Sequence, residues 1–391
     1  MNRRIIYMDY NASTPVDARV VQAMLPYFTE HFGNPSSGTH EFGWKAEAAV
    51  DIARKQVAHC IGAQFPEEIL FTSGATESVN LAVKGVAEAA GAGRIITAKT
   101  EHKAVLDSCY ALEKKGFDIQ FVSVDEFGFV NLEELESLIT PDTFLVSIMA
   151  ANNETGVIQD IEAIGSICKK HNVLFHTDAT QAVGKIPFDV VKSNVDLCSF
   201  TAHKFYGPKG VGCLYRKKTS PKIEVVPQID GGGHEFGLRS GTLNVPGIVG
   251  LSSALQLAVE NLNQEISETA RLRDTLYNGL SQQVGDVVVN GPHPLLDSNH
   301  RLSANLNISI LGAPSSVLMM GIKDIAFSAA AACGTTGGAY SHVLKAMNVG
   351  NERGETAIRL SFGRFTTDEE VEYTIERIVQ DVLSIRKQVY N

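Results

Sequence analysis

From residue 45 to about residue 215 the chain alternates short apolar runs with stretches of helical spacing. The runs Ile69–Phe71, Arg94–Thr97, Ile119–Val124, Phe144–Ala150, Val173–His176, Leu197–Phe200 and Val211–Tyr215 predict strands. Between them, apolar positions such as Val50, Ala53, Val57 and Ile61 recur at helical intervals. Strand and helix in alternation predict an α/β fold. Its mostly parallel, seven-stranded sheet should be covered by helices on both faces. Ligands of such a sheet bind at the carboxyl ends of its strands. After Gly250 the pattern changes. A long polar helix is predicted over residues 251–284, a loop at Gly291–Pro294, and a last amphipathic helix from Val371, Ile375, Ile378, Val379, Val382, Ile385 and Val389. These elements predict a large domain over 14–250 and a smaller α/β domain made of 1–13 and 251–391.

Composition narrows the function class. A chain of 391 residues suits two cores rather than one. The net charge of −10 argues against a protein built on nucleic acid or an anionic membrane, because phosphate binding needs a basic face. No apolar run reaches the ~18 residues of a membrane span. The opening Met1-Asn2-Arg3-Arg4-Ile5-Ile6-Tyr7-Met8 meets Asp9 too soon for a signal-peptide core, so a cytoplasmic location is expected. Cys60, Cys109, Cys168, Cys198, Cys213 and Cys333 form no C-x-x-C pair, and no metal site is predicted. Cys198 and Cys213 sit in apolar runs and read as small core residues.

Three segments carry candidate chemistry. Thr72-Ser73-Gly74-Ala75-Thr76-Glu77-Ser78 follows a strand and opens a helix, a setting that suits a phosphate. Its other reading is a helix N-cap at Ser73 or Thr76 with Glu77 in the first turn. Asp178 stands at the end of the run Val173–Thr177, where a carboxylate could pair with a protonated ring nitrogen or simply cap a loop. Lys204 ends the run through Leu197, Phe200 and His203. A lysine held among apolar residues has a lowered pKa and suits Schiff-base chemistry, although most loop lysines are merely solvated.

Together these segments resemble a fold-type I pyridoxal-phosphate enzyme of the class V aminotransferase group. Asp9-Tyr10-Asn11-Ala12-Ser13-Thr14-Pro15, Gly33-Asn34-Pro35-Ser36-Ser37, Asn152-Asn153-Glu154-Thr155-Gly156, Gly231-Gly232-Gly233-His234-Glu235 and Arg239-Ser240-Gly241-Thr242-Leu243 narrow the resemblance to the NifS/IscS cysteine desulfurases. The resemblance runs from about residue 5 to 385.

It implies pyridoxal 5′-phosphate held by Lys204 as a Schiff base. Thr76, Thr201 and His203 would bind the phosphate, with backbone contact from Ala75. Thr242 would reach the phosphate of a second subunit, so a homodimer is implied. His102 would stack on the ring and move protons. Asp178 would pair with the ring nitrogen, while Gln181 and Asn153 meet the ring oxygen and edge. Arg359 would clamp the substrate carboxylate and Arg364 would be structural. Cys333 matches the cysteine that takes sulfur from L-cysteine as a persulfide, leaving L-alanine. Sulfur-acceptor proteins such as an iron–sulfur scaffold would be partners.

Two features depart from the family pattern. Alanines precede Cys333 and Gly334 follows it, which predicts a stiffer lead-in and a looser exit. Phe236 stands where the family often has Arg. A C–S lyase, a selenocysteine lyase and a sulfur-transfer scaffold of weak turnover are the competing readings.

Overall fold

The computed structural model describes residues 5–329 and 340–389. Its main sheet has seven strands. In spatial order they are Ile69–Thr72, Gly212–Arg216, Leu197–Thr201, Leu174–Asp178, Thr143–Ser147, Arg94–Ala98 and Asp118–Val122. Only Gly212–Arg216 runs antiparallel to its neighbours. Adjacent residues of a strand point to opposite faces, and here both faces are buried. Phe71, Ile96, Val146, Phe175 and Phe200 join one core. Leu70, Ile95, Leu145, Leu174 and Leu197, each an odd number of residues away in the same strand, pack into another on the opposite face. This double burial is why the strands read as continuous apolar runs. Helices Glu41–Cys60 and Val245–Glu260 cover the first face; Ala75–Ala90 and Lys103–Glu113 cover the second.

A second, antiparallel sheet runs in the order Ser328–Ala329, Ala357–Ser361, Asn305–Ile310 and Val287–Val289. Helices Leu262–Val284 and Asp368–Val389 bury Leu272, Leu276, Ile378 and Val382 against Leu306, Ile308, Ile358 and Leu360. The N-terminal strand Ile6–Tyr7 pairs in parallel with Ile325–Ala326. Met8 then enters this smaller core.

The single helix expected over 251–284 is two helices, divided at Asn261. The Asn261 side chain donates to the carbonyl of Leu257 at 2.7 Å, and its N–H turns to the same carbonyl. The first helix also begins earlier than expected. Asn244 caps it by accepting from the Gly247 N–H at 3.1 Å, and Pro246 fits the first turn. The apolar periodicity on either side hid this break.

Phe236 stacks 5.2 Å from the guanidinium of Arg54, which also lies 4.9 Å from the Phe71 ring. Arg54 pairs with buried Glu235 at 2.7 Å, and Glu235 accepts from the Phe71 N–H at 2.7 Å. A second arginine at position 236 would set like charges against each other. Glu235→Ala strands Arg54 and the Phe71 amide together. It is expected to destabilise the fold by about 3–5 kcal/mol, read as a lowered midpoint in urea at unchanged slope.

Candidate functional site

Three parallel strands, Leu197–Thr201, Leu174–Asp178 and Thr143–Ser147, end beside one another. The segments just past them line a cavity of about 600 Å³. Ala75, Thr76, His102, Asn153, Asp178, Gln181, Thr201, His203, Lys204 and Arg359 all border it. Thr242 is exposed and lies outside its lining. Cys333 and Gly334 fall outside the described residues.

Lys204 follows the strand Leu197–Thr201 in a short 3-10 turn. Its Nζ donates to the carbonyls of Asn11 at 2.7 Å and Ala12 at 2.8 Å. Burial, then the nearby Arg359 cation, pulls its pKa down to about 8, against the opposing pull of Asp178 and Asp9. A free amine is therefore accessible close to neutrality, about two units below an ordinary lysine.

Asp178 accepts from the Thr180 N–H through Oδ1 at 3.0 Å. Below it, His176 is fully buried between the Ser147 and Ser199 hydroxyls at 2.8 and 3.0 Å. Burial lowers its pKa to about 4, so this imidazole is neutral and serves the hydrogen-bond frame.

The helix Ala75–Ala90 points its N-terminus into the cavity. Its cap is Gly74, with no side-chain cap bond, rather than Ser73 or Thr76. Glu77 accepts from the Ser73 N–H at 2.8 Å and from Arg239 at 2.8 Å. The first-turn N–H groups of Ala75 and Thr76 have no helical acceptor, which makes this end an anion seat. Gly212 passes beneath so closely that a Cβ there would lie 2.6 Å from Gly74 backbone atoms. The Thr201 hydroxyl donates to the Val211 carbonyl at 2.9 Å. His203 lies 3.2 Å from the Ser13 hydroxyl, and burial, then Lys204 and Lys209, lowers its pKa to about 4. At neutral pH it is an uncharged imidazole.

On the other wall, Arg359 lies in the central strand Ala357–Ser361 of the smaller sheet. It donates to the Asn153 carbonyl at 2.9 Å, to Asp9 at 2.6 Å and to the Ser328 hydroxyl at 3.0 Å. Its Nε is buried without a partner. His102 caps the helix Lys103–Glu113, its Nδ1 accepting from the Ala104 N–H at 3.1 Å. Arg364 pairs with Asp17 and with Glu265 at 2.5 Å, away from the cavity.

Asp9, Asn11, Ala12, Lys209 and Ser328 lie in or beside the motif segments but have no expected role. The carbonyls that hold Lys204 carry no side-chain signal. Asp9 heads the Asp9–Pro15 segment of the family resemblance, which gives it no role of its own.

Residues 6–374 match the family Aminotransferase class-V. A cysteine desulfurase IscS of Anaeromyxobacter dehalogenans is 49% identical over 384 residues, covering 98% of this chain and 93% of that protein. The cysteine desulfurase IscS of Mannheimia succiniciproducens is 48% identical over 385 residues, covering 97% and 93%. Among solved structures, a NifS-like protein superposes with a TM-score of 0.89 at 43% identity, covering 97% of this chain and 99% of that one. A structure described as SspA in complex with cysteine matches at 35% identity with a TM-score of 0.80, covering 93% and 100%.

Proposed function

The chain belongs to the aminotransferase class-V family, whose members use pyridoxal phosphate, and from that premise we propose that it works as a cysteine desulfurase. L-cysteine is converted to L-alanine, and the sulfur leaves as a persulfide on Cys333. The observation that carries the reading is one cavity holding a Lys204 amine of lowered pKa, the Asp178 carboxylate, an open helix end at Ala75 and Thr76, and Arg359.

The donor set fits the cofactor. The amide N–H groups of Ala75 and Thr76, with neutral His203, suit its phosphate, and the Thr201 hydroxyl would turn from the Val211 carbonyl to join them; the close pass of Gly212 keeps this seat backbone-lined. Asp178 suits the ring nitrogen, Gln181 the ring oxygen, Asn153 its edge and His102 a stacking face. Lys204 would hold the group covalently. When bound, the cofactor supplies an electron sink for negative charge at the substrate Cα.

The protein's own residues do the rest. Arg359 fixes the substrate carboxylate, its guanidinium adjusting the Asp9 contact to do so. The Lys204 amine would take the substrate Cα proton. His102 carries protons at the mouth. The Cys333 thiolate would attack the substrate sulfur: an S–S bond forms, the Cβ–S bond breaks with its electron pair left on carbon, one proton completes the methyl group, and Lys204 returns a proton to Cα to give alanine. Thr242, exposed and outside this cavity's lining, would reach the cofactor phosphate of a second subunit in a homodimer. A sulfur-acceptor protein, such as an iron–sulfur scaffold, would discharge the persulfide. Among the described residues no helix is long and apolar enough to cross a membrane.

Incubation with L-cysteine should yield alanine and protein-bound persulfide in equal first-turnover amounts. Sulfide without persulfide would reject the reading in favour of a C–S lyase. Arg359→Ala is expected to raise KM about 100-fold by removing a charge-assisted pair worth about 1.5–3 kcal/mol. An unchanged KM would count against the clamp. Asp9→Asn should lower KM if Asp9 competes with the substrate for Arg359.

A further inference from the structure

Lys185 takes no part in the chemistry above, yet it lies close behind the cofactor seat. It ends the turn after the strand Leu174–Asp178, its N–H bonded to the Ala182 carbonyl at 2.9 Å. Its Nζ donates to Gln181 Oε1 at 2.6 Å. The other end of the same amide, Nε2, donates to the Asn11 carbonyl at 3.0 Å. That carbonyl also receives Lys204 at 2.7 Å. Lys185 and Lys204 share the wall of a second, small cavity of about 40 Å³, with Tyr206 and Glu265.

The donor inventory allows one arrangement. A lysine ammonium has no lone pair, so it can meet only the oxygen of the Gln181 amide. A backbone carbonyl has no proton, so it can meet only the nitrogen. Lys185 and Asn11 therefore agree on which way the amide points. Nε2 has two protons and spends one on Asn11. The remaining N–H is what the amide can offer the cavity.

We infer that Lys185 is a positioning residue that fixes the Gln181 amide so that it presents an N–H donor to the cofactor's ring oxygen. This rests on the proposed placement of the ring oxygen at Gln181. Loss of the lysine leaves the Asn11 carbonyl as the one remaining restraint on the amide, which is then held less firmly, and whenever its oxygen turns toward a negatively charged ring oxygen the two repel. A well-held N–H stabilises that negative charge. The charge in turn holds the proton on the nitrogen that joins Lys204 to the cofactor. With a weaker donor, that nitrogen keeps its proton to higher pH. The charged groups around Lys185 are Lys204, Arg359 and Glu265; those around Lys204 are Arg359, Asp178 and Asp9. Burial, then the Lys204 and Arg359 cations, brings the Lys185 pKa down to about 7. An uncharged amine can still donate to Oε1, and the Asn11 carbonyl still admits only Nε2, so the arrangement survives its titration.

The test uses the holoenzyme and the pH midpoint of its visible cofactor band, with cofactor release as a second readout. Lys185→Met should raise the midpoint by about one pH unit and speed release several-fold, while Lys185→Arg stays near wild type. The decisive comparison is Gln181→Leu. If Lys185 acts through the amide, Lys185→Met adds nothing in that background. A full, additive shift there would mean that Lys185 acts on Lys204 by charge alone and would overturn the inference. So would an unchanged midpoint in Lys185→Met. Should Lys185→Met fail to fold, Gln181→Glu, which offers oxygen in either orientation, must raise the midpoint as well; no shift there also overturns it. Persistence of the band in Lys204→Ala would instead remove the cofactor placement beneath both.

Discussion

Lys204→Ala is expected to lose the visible cofactor band and about 10⁴-fold or more in turnover. The substitution removes the covalent anchor and a general base, the second alone worth about 10²–10⁴-fold. The fold should survive, because the Lys204 ammonium contributes only bonds to the Asn11 and Ala12 carbonyls at the cavity wall, where water can replace it. Wild-type protein stripped of cofactor gives the companion measurement. Uptake of pyridoxal phosphate needs the uncharged amine, and burial sets the Lys204 pKa at about 8. Below that pH the ammonium dominates, and the association rate should fall by about tenfold per pH unit. Above it the rate should level off. A rate still climbing tenfold per unit between pH 9 and 10 would show that the amine keeps an ordinary lysine pKa of about 10.4 and that burial does not activate it.

The large sheet was legible because burial on both faces leaves unbroken apolar runs. Every predicted strand is present, with ends moved by a few residues. The run Phe144–Ala150 ends as a strand at Ser147, but Ile148 and Ala150 still donate to the His176 and Asp178 carbonyls at 3.1 and 3.0 Å. The break at Asn261 was not legible, since both flanking helices keep their periodicity and a single asparagine turns the chain. Asp178 and Lys204 could be paired in advance because both terminate apolar strands, and adjacent strands bring them to one edge. The pairing of Arg359 with Asp9 could not. It depends on the amino-terminal arm docking beside a strand about 350 residues later in the chain, through the Asp9–Ser361 bridge. Local pattern carries no information about so distant a register.

Cys333→Ser should keep the cofactor band while persulfide disappears and alanine formation falls by about 10⁴-fold or more, the scale of deleting an enzyme's nucleophile. The other cysteines make poor substitutes. Cys198 and Cys213 are fully buried in the large sheet. Burial pushes the thiols of Cys109 and Cys168 up to about 12 and that of Cys60 up to about 11, so hardly any thiolate exists there at neutral pH. The anchors of the segment that contains Cys333 sit at the cavity. On one side, Ser328 donates to Asp9 at 2.9 Å and accepts from Arg359 at 3.0 Å, and Ala329 pairs with Ile358. On the other, Ser341 bonds Glu154, and His342 donates to the Glu101 carbonyl at 3.0 Å, one residue from His102. Four residues of chain separate Ala329 from Cys333, a span of at most about 14 Å. Normal alanine and persulfide yields from Cys333→Ser would assign sulfur transfer to another group. Normal alanine with free sulfide would make the protein a lyase whose cavity chemistry needs no thiol at all.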